Sequence, residues 1–255
     1  MTERILVIRT PSGLSGDMCV SGLAALAGLS DQDLGELCSQ IRLPALQDSV
    51  KLKAHSVQHI SGYQLQVDLP HEHAHRTWAD IRAIIDDSTL TDKARYRALE
   101  AFALLADAEA KVHGTTPDKV TFHEVGALDS ILDICLAGQI LERLEADRIV
   151  CSPLPICDGQ VKCAHGLLAS PPPAVQELLT GVPVYGIDHQ GETITPTALS
   201  LLKAWNVEFG NWPEIKITKT IRAYGQKLIT GVPNGAIFCL GESHALDTGN
   251  HLPPN

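Results

Sequence analysis

Aromatic residues make up only 4% of this 255-residue chain. A core with so few rings has to be packed from Ala, Leu, Ile and Val, which points to aliphatic contacts between helices and a sheet. Long apolar runs are also missing. None reaches the roughly 18 residues that a membrane span needs, and no basic-then-apolar segment opens the sequence. The chain therefore reads as cytosolic, with no membrane partner. Basic residues are scarce: 20 Lys and Arg stand against 30 Asp and Glu, a formal charge of −10, which argues against nucleic acid as a partner. The seven cysteines contain no C-x-x-C pair, and an odd count does not suit a disulfide framework. Cys135 sits in an apolar helical stretch and reads as core. Cys157 and Cys163 fall in a Gly-containing segment, where one is either a soft metal ligand or simply structural.

What is present is a regular interleaving of strand and helix signals. Residues 4–10 form a short apolar run followed by the Gly-rich stretch P-S-G-L-S-G-D. This reads as strand, loop and then a helix from about Asp17 to Gly28. Ser30 caps a second helix that ends before Pro44. Residues 51–69 read as a hairpin with its turn at Gly62, and Tyr63, Leu65, Val67 and Leu69 alternate onto one face. Thr77 with Asp80 is a capping box. A long helix over 91–113 carries an apolar stripe of Ala98, Phe102, Leu105, Ala106 and Val112, which Glu109 interrupts, and Gly114 stops it. A strand end at 121–122 leads into another helix, and residues 148–153 read as a strand. Pro171 to Pro173 precede a short helix closed by Gly181. Thr195 caps a helix starting at Pro196. Strands near 215–221 and 236–240 finish the pattern. The fold class is α/β, a mixed β-sheet with hairpins and packed helices, with α+β as the alternative. Residues 1–242 read as one domain, with a possible subdivision near residue 150 and a flexible tail over 243–255.

Three stretches carry chemistry. In D-L-P-H-E-H-A-H-R, His71, His73 and His75 alternate. If the strand runs on past Pro70, they share the parity of Leu65, Val67 and Leu69, and neighbours about 7 Å apart can converge on one metal. The alternative is a solvated His-rich turn. In F-H-E-V-G-A-L-D-S-I-L-D, His123 and Glu124 precede a turn at Gly126 without a packing role, which suits catalysis or metal binding. Asp129 and Asp133 share a helix face four residues apart. Either they hold a cation, or Asp129 complements the helix N-terminus and Asp133 pairs with an arginine. In S-G-L-S-G-D-M, Ser12, Gly13, Ser15 and Gly16 expose backbone N–H groups before a helix, which suits a phosphate. Asp17 repels a bare phosphate, so it fits a bridging metal or a second site. Lys162 and His165 lie in what reads as a loop, where Lys162 is either an anion contact or solvated. His113 reads as structural, opposed to a helix dipole. His55 and His59 share a strand face, and His189 has no supporting context.

These pieces together resemble the LarC family of nickel-insertion proteins. The carriers are S-G-L-S-G-D-M (12–18), H-E-H-A-H-R (71–76), K-V-H-G (111–114), F-H-E-V-G-A-L-D-S-I-L-D (122–133), V-K-C-A-H-G (161–166), G-E-T-I-T-P-T-A (191–198) and P-N-G-A-I-F-C-L-G-E (233–242). The resemblance implies insertion of Ni²⁺ into a pyridinium bis-thiocarboxylate mononucleotide, giving the nickel-pincer cofactor of lactate racemase-type enzymes. It also implies a requirement for CTP with Mn²⁺ or Mg²⁺. On that basis His71, His73, His75, Asp17, His123 and Asp129 are expected to hold metal. Glu124, His123 and Asp133 are expected to take part in catalysis. Ser12, Gly13, Ser15, Gly16 and Lys162 are expected to bind the phosphate-bearing ligand. The chain departs from the family pattern in three places. Arg9 stands where an acidic residue is usual, and Ala223-Tyr224-Gly225-Gln226-Lys227 replaces a glycine-richer motif. A further domain associated with nucleotide use commonly follows L-G-E in the family, so a separate subunit is an expected partner. Homo-oligomerisation stays open. Two other functions fit the residues: a nickel metallochaperone without catalysis, and a metal-dependent phosphohydrolase.

Overall fold

The computed structural model describes residues 2–70, 75–123, 125–163, 166–229 and 231–243. The chain opens with strand β1 (Arg4–Arg9), helix α1 (Gly16–Ala27) and helix α2 (Asp31–Ser39). A hairpin of β2 (Val50–Val57) and β3 (Ile60–Val67) follows, then β4 (Arg76–Thr77), α3 (Trp78–Asp87), α4 (Asp92–His113), β5 (Thr121–Phe122) and α5 (Leu128–Arg143). The second half holds β6 (Arg148–Cys151), β7 (Leu154–Ile156), β8 (Gln160–Cys163), β9 (Gly166–Ala169), α6 (Pro173–Leu178) and β10 (Val184–Gly186). It closes with α7 (Pro196–Ala204), β11 (Glu208–Phe209), β12 (Ile215–Tyr224) and β13 (Ala236–Ser243).

The main sheet has seven strands in the order β11-β6-β1-β13-β12-β3-β2. It is mixed: β1 pairs β6 in parallel and β13 antiparallel, while β12 pairs β3 in parallel. This is the expected α/β architecture. The run R-I-L-V-I-R is apolar on both parities because β1 is central and covered on both faces. Leu6 and Ile8 enter the large core shared with the helices, whereas Ile5 and Val7 join a smaller cluster with Val150 and Cys239 on the opposite face. Helix α1 lies against β12, β13 and β3, α5 packs on α1, and α4 packs on α5. The large core draws on residues from Leu6 to Leu240, on both sides of residue 150.

Local signals placed most helix ends. Thr77 and Asp80 form a capping box, the Thr91 side chain accepts from the Ala94 N–H, and Gly114 adopts a left-handed C-cap (φ 62°). Thr195 caps α7, with Pro196 as its first residue. Cys135 is fully buried, as expected of a core residue.

Several local expectations fail. The hairpin turns at Gln58 and His59, both at positive φ, and Gly62 lies inside β3. Gly62 is needed there because a Cβ would stand 2.5 Å from the Arg222 carbonyl oxygen. His59 in that turn does not share a strand face with His55. Strand β3 ends at Val67, so the sheet parity is not carried through Pro70. Val112 is 38% exposed and is not part of the buried stripe of α4. Residues around Lys162 form an antiparallel hairpin, not a loop.

Candidate functional site

The stretch after β1 forms the first wall of a cleft. Gly13 sits at φ 113°, and a Cβ there would overlap the Thr193 carbonyl oxygen. That close approach lets the Leu14 N–H donate to Thr193 O (2.9 Å) and the Thr195 N–H donate to Leu14 O (3.1 Å). The Gly-rich loop is thereby fastened to the 191–195 segment, and α1 begins beside it. Ser15 is the N-cap of α1 but makes no side-chain cap bond; its hydroxyl donates to Asp17 instead. The Asp17 carboxylate in turn accepts from the Asp17 and Met18 N–H groups, so it covers much of the helix N-terminus itself.

Two hollows meet at this point. The first, of about 520 Å³, is lined by Ser12, Gly13, Ser15, Lys162, His189 and Lys227, with Tyr224 and Leu228 among its apolar residues. The second, of about 690 Å³, is lined by Gly16, Lys53, Asp129, Ser130, Asp133 and Thr197. Ser15, Asp17, Thr195, Gln226 and Lys227 border both. The first hollow carries Lys162, Lys227 and His189, and the second is rich in carboxylates.

The carboxylates are electrostatically unusual. Asp133 keeps a partial opening into its hollow and is otherwise enclosed. Its pKa is pushed well above the usual range by burial, and the negative charges of Asp17 and Asp129 add to the effect. Among the described residues it has no hydrogen bond or ion pair, so the alternative of an arginine partner falls. Gly16 makes room for it: a Cβ there would stand 2.4 Å from Asp133 Oδ2. Asp17 is also raised, by burial, against the opposing bonds from Ser15, backbone N–H groups and Gln226. Asp129 is exposed and accepts from the Ser130 N–H (2.7 Å), so it complements the N-terminus of α5 while facing the same hollow.

Histidines gather elsewhere. His75 and His123 approach with their Nδ1 atoms 3.3 Å apart. With His113 they line a third hollow of about 410 Å³ that shares no residue with the other two. The acids and imidazoles are thus brought together in two groups. His71, His73, Glu124 and His165 lie outside the described residues. Among the described residues, no group of three or more His, Cys, Asp or Glu side chains is closed around a single metal position.

Sequence reasoning missed His189, Gln226, Lys227 and Lys53 as lining residues. Gln226 and Lys227 were visible only as a lost glycine motif. In the fold, the Gln226 amide donates to Leu65 O (2.7 Å) and approaches Asp17 Oδ2 (3.4 Å), so it stands where the two hollows join. Lys53 is brought in by strand pairing from a distant stretch, and no local signal marks it. Arg9 lines none of these hollows; its guanidinium donates to Gly210 O (2.7 Å) and stacks 4.7 Å from the Trp212 ring centre.

Comparison with known proteins agrees with the motifs. The nickel insertion protein family matches residues 6–251. A pyridinium-3,5-bisthiocarboxylic acid mononucleotide nickel insertion protein of Desulfitobacterium hafniense is 40% identical over 240 residues, covering 93% of this chain and 58% of the relative. Putative nickel insertion proteins of Geobacter metallireducens (37% identical) and Myxococcus xanthus (39% identical) are each matched over 94% of this chain and 61% of their own length. The chain therefore spans about three-fifths of the length of these relatives. No solved structure matches it. With the family matched over residues 6–251 and relatives 37–40% identical over more than nine-tenths of its length, the chain belongs to the nickel insertion protein family.

Proposed function

We propose that this chain inserts nickel into a pyridinium bis-thiocarboxylate mononucleotide, with the substrate lying across Asp17. Its phosphate faces Lys162, Lys227 and the backbone of residues 12–16. Its ring and thiocarboxylates face Asp133 and Asp129. The observation that carries this reading is the continuity of an anion-suited hollow with a carboxylate-lined one at Ser15, Asp17 and Gln226. A substrate with a phosphate at one end and a metal-accepting ring at the other needs that polarity. Insertion breaks the C–H bond of the ring carbon between the two thiocarboxylates. The electron pair forms the carbon–nickel bond, and the proton needs an acceptor. Asp133 suits that role because its raised pKa makes its carboxylate a stronger base than an exposed one. Nickel is substrate here, delivered from the histidine rim that includes His75 and His123. CTP with Mn²⁺ or Mg²⁺, and a further subunit that handles it, belong to the same reading.

The test is to incubate the purified chain with Ni²⁺, the mononucleotide and CTP, with and without the remaining portion of a relative, and to follow the product by mass spectrometry. Nickelated product from the wild type, and a loss of at least 100-fold in Asp133→Asn with mononucleotide affinity kept, are expected. Nickel binding with no conversion under any condition favours a metal carrier. Turnover of phosphoesters with other divalent ions favours a hydrolase.

A further inference from the structure

Glu109 breaks the apolar stripe of α4 one turn before its end, and the insertion reaction gives it no task. Its carboxylate lies 3.4 Å from His113 Nε2, and its side chain is 17% exposed. The His113 ring centre is 6.1 Å from that of His123, which in turn is 5.0 Å from that of His75. Two imidazole nitrogens bound to one tetrahedral ion at about 2.0–2.1 Å each stand roughly 3.3–3.4 Å apart. The Nδ1 atoms of His75 and His123 have a separation of 3.3 Å. His113 lines the same hollow.

The support beneath these rings is firm. Arg76 pairs with Phe122 across β4 and β5, and one further step of that register sets His75 opposite His123. Phe122 packs on Phe102, and Phe102 on Trp78, so three of the few aromatic side chains in the chain brace this corner. The Trp78 N–H donates to Val120 O (3.2 Å), which ties α3 to the segment entering β5. His113 is held by the last turn of α4. Three elements distant in sequence thus bring imidazoles to one hollow.

We infer that His75, His113 and His123 form a holding site for a divalent late transition metal, separate from the substrate cleft, with Glu109 as the residue that positions the His113 ring. Imidazole donors select nickel, copper or zinc over magnesium. A carboxylate on the far nitrogen fixes a ligand ring and raises its basicity. That the ion is nickel rests on the proposed function; the site itself does not.

The test uses the full chain, stripped of metal, with Ni²⁺ alone. Equilibrium dialysis gives affinity and stoichiometry, and X-ray absorption gives the number of imidazole ligands. His113→Gln keeps the helix end and is expected to weaken nickel binding at least 10-fold and to lower the imidazole count by one. Glu109→Gln is expected to weaken binding about 10-fold with the imidazole count unchanged, and Glu109→Asp to recover part of the loss. Asp133→Asn is expected to leave this site intact. Wild-type affinity and imidazole count in a folded His113→Gln protein overturn the inference. Conversion of the mononucleotide distinguishes the two readings: His113→Gln is expected to slow it only when nickel is limiting, whereas failure of the proposed function shows as no conversion at any nickel concentration.

Discussion

Asp133 and Gly16 form one unit at the residue scale. The carboxylate packs where a Cβ would otherwise be, and its neighbours Asp17 and Asp129 are also negative. A buried carboxyl with a raised pKa favours its protonated form. Its stabilising effect is full below the unfolded value of about 4 and is lost as pH rises through the folded pKa. Asp133→Asn is therefore expected to be more stable than wild type by about 1–3 kcal/mol near neutral pH, with the gap closing at about pH 4. Urea melts of both proteins across that range check the sign, and a gap that does not vary with pH removes the raised pKa. A divalent cation that binds the acids narrows the same gap, because only the wild type gains from it. Gly16→Ala pushes the methyl group against Asp133 Oδ2 and Thr197 Cγ2 and is expected to cost about 1–3 kcal/mol by thermal or urea melting. Gly114→Ala meets nothing within 4 Å and strains only a left-handed backbone, so about 1 kcal/mol is expected there.

At the scale of elements, the β8–β9 hairpin and the segment after β12 both line the phosphate-suited hollow. Lys162 comes from the hairpin and Lys227 from that segment. Lys162 is placed by the pairing of its hairpin and Lys227 by the segment that leaves β12, so removing either side chain leaves the elements in position. Lys162→Ala is expected to weaken mononucleotide binding about 10-fold while nickel binding alone is unchanged, because charge-assisted contacts to an anion contribute roughly 1.5–3 kcal/mol. Calorimetric titration with each ligand separately checks this. Equal losses for both ligands, or no loss of mononucleotide affinity, remove the hairpin from the anion site. The helix caps behave more simply. The Thr77 side chain accepts from the Asp80 N–H, so Thr77→Ala is expected to cost about 1 kcal/mol, and it lies two residues from His75.

At the scale of the whole molecule, one large core runs from the sheet beneath the cleft to Val120 and Phe122 beside the histidine hollow. Phe238 on β13 is fully buried in that core beneath α1. Phe238→Ala is expected to cost about 3–5 kcal/mol. Because the same core runs under both sites, nickel binding and mononucleotide binding are expected to be lost together in one cooperative unfolding transition. Two separate transitions in calorimetry, each abolishing one activity, contradict that coupling. The separation of the hollows gives the molecule two electrostatic environments: imidazoles in one, and carboxylates beside lysines in the other. No helix among the described residues is long and apolar enough to cross a membrane.

Much of this was legible in the residue order. Caps at Thr77, Thr91, Thr195 and Gly114 acted within a few residues of themselves, so local pattern sufficed to find them. The apolar run of β1, the Gly-rich loop after it and the spacing of Asp129 and Asp133 needed no tertiary information either. The hairpin turn was misread because Gly62 serves a close approach from a strand 160 residues away in sequence, and Gln58 and His59 took the positive φ instead. His113 read as a dipole partner and Glu109 as an interruption, since His123, the neighbour of His113, is distant in sequence and reaches it only in the folded chain. Lys53 became a cleft residue through strand pairing, and Lys227 through the path the chain takes after β12. Chain order therefore determined which groups this protein owns and where each helix begins. Only the packed sheet and helices decided which of those groups share a hollow, because distance in space is set by contacts that no short stretch of sequence contains.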